Sequence, residues 1–268
     1  MKLKSAYLVK PHIRLNLSCL QTNEDGGYKT KEAAGAVLVK HRSRLDALQE
    51  VFYADRQHAL LIVLQGMDTA GKDGTIRHIF SGVNPQGCDV TSFKVPTSLE
   101  ASHDFLWRAH LAVPPRGMMG IFNRSYYEDV LSPRVHKTIS AKVVRKRLDD
   151  INEFERMLSD NGVLILKFFL HISEGEQTAR LQSRLDTPDK HWMLSAADFK
   201  ERQYWHPYQA AYNDLISATS HKHAPWFVIP ADHKWYRDVA VSHILTDALE
   251  SLNLSYPATT LNPKSIKL

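Results

Sequence analysis

The residues with the clearest chemical meaning are Gly66-Met67-Asp68-Thr69-Ala70-Gly71-Lys72-Asp73-Gly74-Thr75. Their spacing is G-x-x-x-x-G-K. They follow the apolar run Leu60-Leu61-Ile62-Val63-Leu64 and open an amphipathic stretch, the strand–loop–helix setting that a phosphate-binding P-loop needs. Glycines let the backbone turn tightly, so that free N–H groups and the dipole of the following helix face an anion. Gly66, Thr69, Ala70, Gly71, Lys72, Asp73 and Gly74 are therefore the expected phosphate contacts, with Lys72 reaching the outer phosphates as a point charge. A plain Gly-rich turn with a solvated lysine is the bland alternative, but strand, loop and helix cues all agree. One departure matters. Asp73 stands where a P-loop normally places the Ser or Thr that binds Mg²⁺. The metal must be held differently, and Asp68, a hard oxygen ligand inside the loop, is the natural candidate.

A second segment, Gly120-Ile121-Phe122-Asn123-Arg124-Ser125-Tyr126-Tyr127-Glu128-Asp129, runs from apolar residues straight into polar ones. Asn123 occupies the position of a Walker-B-like metal or water ligand. Arg124 is placed to stabilise charge on a phosphoryl group in transfer. Ser125 followed by Glu128 also reads as a helix capping box, which does not exclude a site. A third stretch, 180–205, is basic and aromatic, with Arg180, Arg184, Lys190, His191, Trp192, Lys200 and Arg202, and Pro188 breaks its helical pattern. Helix, break and helix would make a hinged lid over phosphates; an ordinary solvated helical hairpin fits the spacing equally well. Lys94 and Arg134 are lone basic residues near strand ends and by themselves imply only solvated charge.

The elements that must position these groups are legible from periodicity. Strands are expected over 59–65, 89–94, 118–122, 163–172 and 226–230, largely continuous runs that suit a sheet buried on both faces. Helices are expected over 31–53, 72–80, 98–112, 141–161, 174–185, 195–219 and 236–252. The alternation predicts a parallel α/β sheet, with its ligand site beyond the carboxyl ends of the strands. Residues 1–30 read as an N-terminal arm, 31–252 as the main domain and 253–268 as a tail.

Composition narrows the function classes. The chain has 268 residues, 43% of them hydrophobic, and a net charge of +5 from 34 basic and 29 acidic residues. That charge mildly favours anionic partners, but no basic tract marks a nucleic-acid arm. Cys19 and Cys88 make neither a disulfide framework nor a zinc site. Lys10, His12 and Arg14 interrupt any signal-like run, and the apolar runs are strand-sized, so a cytoplasmic location away from membranes is expected.

The P-loop from Gly66 to Gly74 and the segment Phe122-Asn123-Arg124-Ser125-Tyr126-Tyr127-Glu128 resemble the Walker A and B segments of the family-2 polyphosphate kinases. So do the stretch from Arg184 to Trp192, Ser81 to Gly87, and Ala224-Pro225-Trp226, over a likeness running from about Tyr7 to about Ser251. The resemblance implies a three-layer α/β/α P-loop kinase fold with about five parallel strands and a helical lid. It implies Mg²⁺-dependent, reversible transfer of phosphoryl groups between inorganic polyphosphate and AMP or ADP, with Mn²⁺ as a substitute ion, guanine as a second base, and a homodimer or homotetramer. By position, Asp68 becomes a metal ligand or base, Lys72 and Arg124 contact phosphates in flight, Lys94, Arg134 and Arg184 line the polyphosphate channel, and Glu128 places metal or acceptor. Two positions depart from the family's pattern: Asn123 stands where many members have Asp, and Met193 follows Trp192 where Lys is expected. The Asn-Arg-Ser version looks most like the subgroup acting on both mono- and diphosphates. Two rivals remain at this stage. An ATP-dependent nucleotide kinase of the same fold is opposed by Asp73 and the basic lid, whereas a non-catalytic binder would explain Asn123 and Met193.

Overall fold

Ala59–Gln65 consists of seven consecutive buried residues, and it forms the middle strand of the sheet. The computed structural model of the protein describes residues 5–259. In chain order the elements are α1 (Lys31–Asp55), β1 (Ala59–Gln65), α2 (Lys72–Ile79), β2 (Cys88–Ser92), α3 (Ser98–Ala101), α4 (Trp107–Ala112), β3 (Met119–Asn123), α5 (Glu128–Val135), α6 (Ala141–Asp160), β4 (Val163–His171), α7 (Glu174–Leu185), α8 (Ala196–Glu201), α9 (Trp205–Thr219), β5 (Trp226–Pro230) and α10 (Lys234–Glu250). The five strands are all parallel, in the order β2-β3-β1-β4-β5. One helical group joins α1, α2 and α10, and another joins α5, α6 and α9, so that helices flank the sheet as expected. β1 and β4 are buried almost throughout, which is why their sequences do not alternate.

Four expectations change. The helix expected over 98–112 is two helices: the Thr97 capping box starts α3, Ser102 Oγ donates to Leu99 O at its end, and Asp104 Oδ1 accepts from the Leu106 N–H, so local side-chain bonds compete with a continuous helix. The helix expected over 195–219 is α8, a short 3₁₀ turn at Arg202–Tyr204, and α9. α5 was hidden by Pro133, which lies inside it. Proline lacks the N–H that would bond Asp129 O, and Arg147 Nη1 donates to that carbonyl instead. The Ser125–Glu128 capping box does not form: Ser125 Oγ accepts from the Tyr127 N–H and α5 starts at Glu128 itself.

The arm is stitched onto the domain over its described part. Val9 donates to Trp226 O at 2.9 Å and Val228 to Tyr7 O at 2.9 Å, with Leu8 bridged antiparallel to Phe227, so the arm covers the free edge of β5. Residues 1–4 and 260–268, part of the expected arm and tail, lie outside the described residues. Among the described residues, no helix is long and apolar enough to cross a membrane.

Candidate active site

The P-loop joins β1 to α2, and its backbone explains its glycines. Gly71 caps α2 at φ 103°, and a Cβ there would lie 1.9 Å from Arg237 Nη1. At Gly66 a Cβ would meet Leu170 O at 2.8 Å. Thr69 also adopts a left-handed φ, of 66°, and Ala70 N–H donates to Met67 O at 3.0 Å to close the turn. Lys72 folds back over the loop. Its Nζ donates to Gly66 O at 2.9 Å and Met67 O at 3.4 Å. Burial lowers the Lys72 pKa, and the charge of Arg124 adds to this, against the pull of Asp68.

The loop is fixed from behind by two buried arginines. Arg180 commits all five N–H donors: Nε to Glu176, Nη1 to Thr69 O and Ala70 O, and Nη2 to Ala231 O and Asp232 O, at 2.6–3.0 Å. The sequence places Arg180 in a phosphate-binding lid; here its guanidinium is engaged in bracing the P-loop from behind. Arg237 donates to Ala70 O at 3.3 Å and, through Nε and Nη2, to Asp238 Oδ1. Asp238 Oδ2 in turn meets His78 Nδ1 at 2.7 Å. Gln177 Nε2 donates to Asp68 O at 3.1 Å. The carbonyls of residues 68 to 70 are thus held by side chains, and the first N–H groups of α2 have no intrahelical partner to bind.

Beside the P-loop, Arg124 N–H donates to Leu64 O at 3.0 Å, which places the end of β3 against the end of β1. Arg124 takes a left-handed φ of 61°, and its Nη2 donates to Asp68 Oδ1 at 2.6 Å. Asn123 Nδ2 donates to Asp73 Oδ1 at 2.7 Å, leaving the Asn123 amide oxygen as a candidate ligand. This turn is anchored by a fully buried network. Tyr126 and Tyr127 donate from Oη to Glu155 Oε1 at 2.8 and 2.7 Å. Lys167 Nζ donates to Glu155 Oε2 at 2.5 Å, Tyr127 Oη at 2.9 Å and Thr219 O at 2.7 Å. Burial pushes the Lys167 pKa down to about 8. The sequence carried one sign of this network, a lysine interrupting the otherwise apolar run of β4.

Beyond the strand ends lies a cavity of about 390 Å³, whose walls include Asp68, Lys94, Arg108, Arg124, Glu128 and Asp129. This is within the usual range for small-molecule sites. Glu128 heads α5 in this wall. Burial raises the pKa of its carboxyl, and the charges of Arg124 and Lys72 oppose the rise. Arg108 donates to Lys94 O at 2.8 Å and to Asp129 Oδ2 at 2.9 Å, with its guanidinium 5.3 Å from the Phe93 ring. The opposite wall comes from α8, the 3₁₀ turn and α9, through Ala197, Glu201, Arg202, Tyr208 and Tyr212.

The expected basic channel is only partly gathered here. Lys94 lines the cavity, but Arg134 pairs with Asp214 of α9 and is not in its wall. Arg184 lies in the last turn of α7 and Lys190 donates to Ser183 Oγ at 3.3 Å, both outside the wall. Arg180, Arg237, Gln177 and the Lys167 network were missed or misread because burial, which periodicity does not report for single polar residues, decides their roles.

Could a divalent ion sit here? Among the described residues, no three acidic, His or Cys side chains converge as a ready-made metal site. Asp68 and Glu128 nonetheless both line the cavity, and Asn123 ends the neighbouring β3, so oxygen donors are on hand near the loop. That suits a hard cation bound through one or two carboxylates and completed by phosphates and water.

A protein-family model described as polyphosphate kinase 2 matches residues 28–256. The chain is 50% identical over 252 residues to an AMP/ADP-polyphosphate phosphotransferase of Meiothermus ruber, with 94% of each chain covered. It is 44% identical to an ADP-polyphosphate phosphotransferase of Rhodopseudomonas palustris, over 97% of this chain and 94% of that one. It superposes on the crystal structure of polyphosphate kinase 2 from Arthrobacter aurescens TC1 with a TM-score of 0.91 and 42% identity, over 94% of this chain and 90% of that one.

Proposed function

The chain belongs to the polyphosphate kinase 2 family, and we propose that it transfers the terminal phosphoryl group of inorganic polyphosphate to AMP and ADP. The observation that carries this reading is the convergence of Lys72, Arg124 and Asp68 at the mouth of a braced P-loop that opens onto one cavity. The acceptor nucleotide's terminal phosphate oxygen attacks the end phosphorus of the polymer. A P–O bond forms to the nucleotide, the bond to the next phosphate breaks, and its electrons stay on the shortened polymer. No covalent enzyme intermediate is needed, so the protein acts by positioning two anions and offsetting their repulsion.

Each residue then has a role. The P-loop N–H groups of Thr69 and of Gly71 to Gly74 hold phosphate oxygens. Lys72 exchanges its carbonyl partners for phosphate. Arg124 leaves Asp68 for the phosphoryl group in flight, and Lys94 guides the polymer from the cavity wall. Asp68, Glu128 and the Asn123 amide would hold Mg²⁺ (or Mn²⁺), which supplies charge neutralisation at the phosphates when bound. Residues 31–252 form the kinase domain in this reading, with 186–205 as the lid. Adenine is the primary base and guanine a second one, and the enzyme works as a homodimer or homotetramer, which light scattering would check.

The test is a Mg²⁺-containing incubation of the protein with polyphosphate and AMP, or with polyphosphate and ADP, the products separated by charge. ADP and ATP are expected from AMP, and ATP from ADP. Turnover with ATP as donor and none with polyphosphate would replace this reading with that of an ordinary nucleotide kinase.

A further inference from the structure

Glu201 is a carboxylate in a cavity that has to take anions. It ends α8 and lines the wall opposite the P-loop, with its side chain 32% exposed. One of its oxygens is occupied. Oε2 lies 2.7 Å from Tyr208 Oη and 3.1 Å from His136 Nε2. A carboxylate only accepts, so both neighbours donate. Burial raises the pKa of the Tyr208 hydroxyl above the usual tyrosine range, and the bond to Glu201 adds to this, so the hydroxyl keeps its proton. The other oxygen is open. Oε1 accepts no hydrogen bond among the described residues, yet it is not one of their buried unpartnered atoms, so a ligand can reach it. No Lys or Arg among the same residues pairs with Glu201, whose ionic partner is His136.

The open oxygen repels phosphate at close range, so neither the polymer nor the phosphates of the nucleotide suit it. A cation would want further hard ligands, and among the described residues no three acidic, His or Cys side chains converge here. What suits it is a neutral N–H or O–H donor. The acceptor nucleotide carries such donors on its nucleoside, as the exocyclic amine of adenine and the ribose hydroxyls. Pro133, Tyr208 and Tyr212 give the same cavity apolar surface on which a base or sugar can pack. We propose that Glu201 is a specificity-determining residue: its open oxygen accepts a hydrogen bond from the nucleoside of the acceptor nucleotide, while Tyr208 and His136 hold the carboxylate in place. This rests on the phosphotransferase reading of the site and adds which wall the nucleoside faces. A site built to accept from a substrate N–H or O–H rejects an analogue that lacks it, because its own polar group is then left unpaired.

The test compares the binding of ADP with that of purine riboside 5′-diphosphate, which has no N–H on its base, and of 2′-deoxy- and 3′-deoxy-ADP. Binding is read by calorimetry on the full chain with Mg²⁺ and without polyphosphate, so it does not depend on turnover. The parent is expected to hold ADP about ten-fold more tightly than at least one analogue, the usual scale for a hydrogen bond to a charged group. In Glu201→Gln the amide oxygen can still accept from Tyr208 and His136, but the group facing the cavity becomes a donor, and that gap should close. Glu201→Ala, the second variant, should close it too. Closure against purine riboside diphosphate assigns the bond to the base, and closure against a deoxynucleotide assigns it to the ribose; either supports the proposal. Equal affinity of the parent for all four nucleotides would overturn it. So would a gap unchanged in a folded variant, which would leave Glu201 only joining α8 to the end of α5. Failure of the polyphosphate reading would instead show as the expected binding ratios with transfer from ATP alone.

Discussion

The two walls of the cavity are built in opposite ways. On one side, the P-loop and the Arg124 turn are held by buried charge: Arg180 and Arg237 behind the loop, and the Lys167–Glu155 pair with two tyrosines behind the turn. On the other, the wall of α8, the Arg202–Tyr204 turn and α9 is reached through the 3₁₀ segment Pro188–Met193, which contains no buried residue and in which Trp192 is 82% exposed. Its ties are surface bonds, such as Lys190 to Ser183 and Arg202 to Thr178. Local stability follows buried contacts, so the first wall is a fixed cradle and the second can reorganise at little free-energy cost. A phosphoryl-transfer site needs both: donors that do not move as charge develops, and a cover that admits a long polymer and then excludes water.

The sharpest way to break this contrast is to remove the cradle's own chemistry. Lys72→Ala and Asp68→Asn are each expected to lower kcat by about 100-fold or more, with circular dichroism and Tm close to those of the parent. Near-normal turnover in either would remove these residues from the site. Next in size is the brace. Arg180→Met would leave the carbonyls of Thr69, Ala70, Ala231 and Asp232 without this partner, and a loss of about 3 kcal/mol is expected in urea unfolding. If Arg180 instead bound phosphate, the variant would keep its stability and lose polymer affinity.

The lid side should respond more mildly. Lys190→Ala is expected to raise KM for polyphosphate by about three-fold, consistent with an exposed charge, with no change in Tm. Met193→Lys is expected to lower that KM by a similar or smaller factor. Smallest is a stability effect with a defined sign. Burial raises the pKa of the Glu128 carboxyl above its unfolded value, so its contribution is complete at low pH and is lost as pH rises through the folded value. Glu128→Gln should therefore be slightly more stable than the parent at pH 8, the difference vanishing in acid, while its transfer activity falls. Equal pH profiles in calorimetry would contradict this.

How much of this contrast was written in the sequence? The cradle's outline was: the apolar run of β1, the glycine spacing and the polar end of β3 predicted strand, loop and turn where they occur, because local backbone preferences and tertiary burial agree there. What holds the cradle was not. Arg180 reads as one more lid charge, and only the packing of α7 against the loop turns its guanidinium inward. Arg237 sits in a nearly all-buried helix that gives no periodic signal. α5 was concealed because the bond lost at Pro133 is made good by Arg147, a residue from another helix. The three-dimensional gathering of Lys94, Arg108 and Asp129 likewise depends on which strand ends meet.

The contrast between fixed cradle and reorganising cover is tested most directly by amide hydrogen exchange, with and without Mg²⁺, ADP and polyphosphate. Residues 66–75 and 123–127 should already be protected in the free protein and change little, while residues 186–205 should gain protection only when both substrates are present. A P-loop that exchanges freely until ligand arrives, beneath a segment 186–205 already protected, would contradict it.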